Sequence, residues 1–64
     1  KNILSLQANE EITSAVVYNL LGQEVFNANI NALTATIDMA SFASGAYFVK
    51  VTVGGIKGVI KVLK

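Results

Sequence analysis

A chain of 64 residues, 53% hydrophobic and only 14% charged, can bury too much apolar surface to be a disordered tail and is sized for one small domain. A formal net charge of +1 gives no footprint for nucleic acid or an acidic membrane surface, and no apolar run is long enough to mark a membrane span. Cysteine, histidine and arginine are all missing, which removes disulfides, Ser-His, Cys-His and imidazole-metal chemistry, and bidentate phosphate capture.

With no initiating methionine and no basic-then-apolar leader, the chain reads as a single domain, residues 1–64, of a longer protein. Val, Ile, Tyr and Phe recur in short runs separated by Gly, Asn, Ser or Asp, and no helical stripe is sustained. The pattern predicts an all-β fold.

The first predicted strand is Ile3 to Ala8, where Leu4, Leu6 and Ala8 alternate with Ser5 and Gln7; polar Asn9-Glu10-Glu11 follows as a turn. The second runs from Ile12 or Thr13 to Asn19, with Ala15 and Val17 on one face and Val16 and Tyr18 on the other. Both faces are apolar, so this strand is expected to be central or covered. Leu20-Leu21-Gly22-Gln23 reads as a hairpin and Glu24 to Ala28 as its return strand, with Val25 pointing inward. Asn27, Asn29 and Asn31 suit a loose connection, because asparagine tolerates left-handed backbone and bonds to it.

A fourth strand, Thr34 to Met39, directs Ala35, Ile37 and Met39 one way; Ala40 to Ser44 is then a link whose Phe42 plugs the core. In the fifth strand Tyr47, Val49, Val51 and Val53 face one side, and Phe48, Lys50 and Thr52 the other. Gly54-Gly55 is a two-residue hairpin signal. The last strand, Ile56 to Leu63, has two inward sets to choose from, and Ile60 with Val62 is preferred because the alternative buries Lys61. Gly58 is a weak point in that strand or a bulge.

Chemistry-bearing residues are sparse. A Ser-Lys dyad from Ser41 or Ser44 is formally available, yet both serines lie in turn sequence; the carboxylates form no spaced acidic loop for calcium, and the glycines match no phosphate-cradling motif. No catalytic residue, cofactor or metal is expected, and the domain is not expected to be an enzyme. All four carboxylates precede residue 39, whereas Lys50, Lys57, Lys61 and Lys64 follow residue 49. Those lysines guard an exposed strand edge, or they steer an anionic partner. Tyr18 and Phe48, opposite the core stripe, either pack across strands or form a docking patch.

The order of motifs resembles the type A C-terminal sorting domain of proteins exported by the type IX (Por) secretion system of Bacteroidetes. The likeness rests on Tyr18-Asn19-Leu20-Leu21-Gly22-Gln23, on Ile37-Asp38, on Phe42-Ala43-Ser44-Gly45-Ala46-Tyr47 (phenylalanine where the family favours leucine), on Gly54-Gly55, and on the terminal Lys57-Gly58-Val59-Ile60-Lys61-Val62-Leu63-Lys64. It spans nearly the whole chain, although the asparagine-proline pair that usually opens the family has no counterpart here.

The resemblance implies a small antiparallel immunoglobulin-like β-sandwich of about six to seven short strands. It also implies a role as an address label, linked to an N-terminal cargo and recognised by the type IX machinery on its way from the periplasm to the cell surface or the medium. A surface sortase-like peptidase would then remove it, releasing the cargo or attaching it to anionic lipopolysaccharide. Recognition in the family centres on the glycine-tyrosine region and the last strand, which makes Gly45, Tyr47, Lys57, Lys61 and Lys64 the candidates. The competing reading is a non-catalytic immunoglobulin-like binding or spacer module of a surface enzyme or adhesin.

Overall fold

The computed structural model describes residues 3–64. Four strands follow one another: β1 (Ile3–Tyr18), β2 (Glu24–Asp38), β3 (Ala46–Val53) and β4 (Ile56–Leu63). They form one antiparallel sheet in the order β2-β1-β3-β4. The all-β expectation holds, but with four strands in place of six or seven.

The difference arises at two polar stretches. Asn9-Glu10-Glu11 lies inside β1, and the asparagine-rich stretch lies inside β2; both strands carry straight through. The β1–β2 register shifts between Gln7 and Ile12 and again between Ile12 and Ser14, and Asn31 opposite takes φ 55°. Such irregularities bend a two-stranded ribbon without ending it. A third shift, between Val17 and Tyr18, changes which face Val25 and Phe26 occupy. Phe26 packs on the core, and Val25, expected inward, is 39% exposed.

The bent ribbon folds over the rest of the sheet. Ile37 shows why: it sits on an edge strand with Leu4 as its partner in β1, yet it is 1% exposed. Only a second layer can cover a side chain so placed. One cluster accordingly joins Leu6 and Ile37 from the ribbon's far half, and Met39 just after it, to Ile12, Ala15, Val17, Tyr47 and Val49. One sheet thus supplies both layers of a small sandwich, with apolar inner faces interdigitating as in any β core.

Turn chemistry fixes the connections. Gly54 and Gly55 have φ 56° and 83°, the two positive values of a type I′ turn, whose twist matches the flanking strands. That turn sets the β3–β4 register, so that Tyr47 faces Val62 and Val49 faces Ile60. Val62 packs on the core, in line with the preferred inward set, while Ile60 on the same face stays 44% exposed.

At the β1–β2 hairpin the Asn19 carboxamide does the organising. Its Oδ1 accepts the Leu21 and Gln23 backbone N–H groups at 2.9 and 3.0 Å, and its Nδ2 donates to Gln23 Oε1 at 2.9 Å. Asn19→Ala is expected to lower stability by about 1 kcal/mol, read as a reduced urea midpoint at unchanged slope.

Candidate recognition surface

The two faces of the sheet differ in kind. The inner face is the core. On the outer face the register lays out three rows, running from β2 to β4: Glu24, Tyr18, Phe48, Lys61; then Asn27, Val16, Lys50, Val59; then Asn29, Ser14, Thr52, Lys57. Lys50, Lys57 and Lys61 therefore share one face on two adjacent strands, interleaved with Phe48 and Val59. Tyr18 and Phe48 are half-buried and stand opposite each other on adjacent strands of this face. Glu24 lies across the sheet from the lysines and accepts a hydrogen bond from the Asn27 amide.

The five candidates divide into two groups. Gly45, Tyr47 and Lys64 form a knot that ties the chain's last residue to the loop before β3. Gly45 and Lys64 exchange backbone hydrogen bonds at 3.2 and 2.8 Å, and Lys64 Nζ donates to the carbonyls of Ala40 (3.1 Å) and Phe42. Gly45 has φ 147°, a conformation costly for any side chain. Tyr47 is 7% exposed, donates its hydroxyl to the Ala43 carbonyl at 2.5 Å, and sets its ring 5.4 Å from that of Phe42. Asp38 Oδ1 accepts the Ala40 N–H at 2.9 Å, and the Phe42 N–H bonds the Met39 carbonyl at 3.0 Å, completing the loop. Tyr47→Phe is expected to cost about 1 kcal/mol through the orphaned carbonyl, measured by urea unfolding.

Lys57 and Lys61 are different: both are exposed on β4. So is most of that strand, with Ile56 at 75%, Val59 at 65% and Leu63 at 78% exposure. The structure adds Lys50 and Val59 to the surface, residues not among the five. Their signal was the Gly54-Gly55 turn, which puts Lys50 opposite Val59 once the register is counted from it.

Residues 1–64 match the family model of the secretion system C-terminal sorting domain. The chain belongs to that family. No curated protein and no solved structure matches it. As a type IX sorting domain it marks the protein that carries it for export to the cell surface or for secretion through the outer membrane, and it does so by interacting with the type IX machinery. Among the described residues of the sorting domain, no helix is long and apolar enough to cross a membrane.

Proposed function

We propose that residues 1–64 act as a single, non-catalytic address label that travels folded with an N-terminal cargo and is cut off once outside. The observation that supports this reading is the match of residues 1–64 to the sorting-domain family. The exposed β4 face, with Lys57 and Lys61 as candidate contacts, is the recognition surface, and Gly45, Tyr47 and Lys64 hold it in shape. Recognition is by shape and charge of a sheet edge or face. A cell-surface sortase-like peptidase then removes the domain, and the cargo is released or joined to anionic lipopolysaccharide.

The removal step is tested by mass spectrometry of an exported cargo carrying this domain. The mature cargo is expected to lack residues 1–64, and to keep them in a strain without the peptidase. A mature surface form that retains them in the competent strain would contradict removal.

A further inference from the structure

We propose that β4 accepts one more strand: an extended segment of a partner protein, acidic on its outer face and apolar on its inner face. Only the identity of the strand's owner, the export machinery, rests on the sorting reading.

The free backbone groups can be assigned. Because Gly45 and Lys64 exchange both hydrogen bonds, the hydrogen-bonded pairs of the β3–β4 ladder are the alternate ones, Tyr47–Val62, Val49–Ile60, Val51–Gly58 and Val53–Ile56. The register runs unshifted from Ala46–Leu63 to Val53–Ile56, so Lys57, Val59, Lys61 and Leu63 turn their N–H and C=O groups to the open edge. The opposite edge of the sheet is guarded: β2 is bent at Asn31 and offset by register shifts. β4 is eight residues long, pairs without a register shift and carries exposed apolar side chains.

Gly58 supplies a second, independent observation. Its backbone is not left-handed, and an added Cβ would meet nothing within 4 Å, so no local packing calls for glycine. Gly58 lines an open groove of about 400 Å³ together with Val51, Val53, Ile56, Asn9, Glu10 and Lys57. An aliphatic side chain on the inner face of an incoming strand has room there.

Charge selects the occupant. A strand beside β4 sets its outer side chains next to Lys57 and Lys61, with Lys50 behind, which favours carboxylates. A second copy pairing β4 with β4 would bring both sets of lysines onto one face, which like-charge repulsion disfavours.

The test titrates the domain with a synthetic Glu-Val-Glu-Leu-Glu-Val-Glu peptide, following amide exchange, and in parallel measures export of a reporter carrying residues 1–64. The peptide is expected to protect the Val59 and Lys61 amides and to bind at least about tenfold more weakly when its glutamates become glutamines. Val59→Pro, which deletes an outward N–H, and Gly58→Val, which fills the groove, are each expected to weaken binding and export by a similar factor. Should Val59→Pro fail to fold, the wild-type domain with a peptide N-methylated at alternate amides reads the same bonds. Undiminished binding by Gly58→Val, by the glutamine peptide or by the N-methylated peptide overturns the proposal. So does concentration-dependent protection of β4 without peptide, which would make a second copy the occupant. A wild-type reporter that is not exported undoes the sorting reading instead, and the titration still decides this one.

Discussion

Replacing Ile37 with alanine is expected to leave the domain largely unfolded at room temperature. The side chain is 1% exposed and lies on the half of the ribbon that closes over the sheet, against a core that also holds Leu6, Met39 and Val49. Truncating a buried isoleucine costs about 2–5 kcal/mol, whereas a single core in a chain this small supplies about 3–5 kcal/mol in total. A loss near the whole margin should appear as a collapsed or absent urea transition by circular dichroism. Ile3→Ala, at a site 52% exposed on the same strand pair, is the control and should shift the midpoint only slightly. An Ile37→Ala domain with a wild-type midpoint would mean that the ribbon does not close on the sheet.

Reversing the charge at Lys57 and Lys61 together should leave stability nearly untouched and still cut export roughly tenfold. Both side chains are exposed on β4, and substitutions at such surface sites usually stay within about 0.5 kcal/mol. The face they share with Lys50 and Val59 is what the export machinery would meet. Glutamates there turn attraction into repulsion, and a drop in reporter export of roughly tenfold corresponds to only about 1.4 kcal/mol of lost recognition. Lys57→Arg with Lys61→Arg keeps the charge and should keep export. Lys64→Ala is expected to behave in the opposite way, costing about 1 kcal/mol because the carbonyls of Ala40 and Phe42 lose their shared donor. Wild-type export by the double glutamate variant, in a domain shown to be folded, would move recognition away from this face.

Much of this could be read from the residues. The alternation through Tyr47, Val49, Val51 and Val53 and the Gly54-Gly55 turn together place β3, β4 and their register, and burial of Val62 follows from parity. Parity is also where the reading failed. Each irregularity in the β1–β2 ribbon adds or removes one residue from the count, so Val25 and Phe26 exchange faces through a shift that composition does not announce. Polar Asn9-Glu10-Glu11 looks like a turn, yet its neighbours on both sides pair with the same strand β2, and it becomes a bend inside β1.

For the recognition surface, exposure of Lys57 and Lys61 follows from their places opposite Thr52 and Phe48. The commitment of Lys64 does not. Its partners Ala40 and Phe42 are more than twenty residues away, and only the closed fold brings their carbonyls to its ammonium group.

The most direct test of the account fuses residues 1–64 to the C-terminus of a reporter that carries an ordinary inner-membrane export signal, in a bacterium with a working type IX system. The reporter is expected at the cell surface or in the medium, and to remain in the periplasm when the type IX machinery is deleted. Periplasmic retention in the competent strain, alongside successful export of a control sorting domain, would contradict the account and leave a binding or spacer module as the better description.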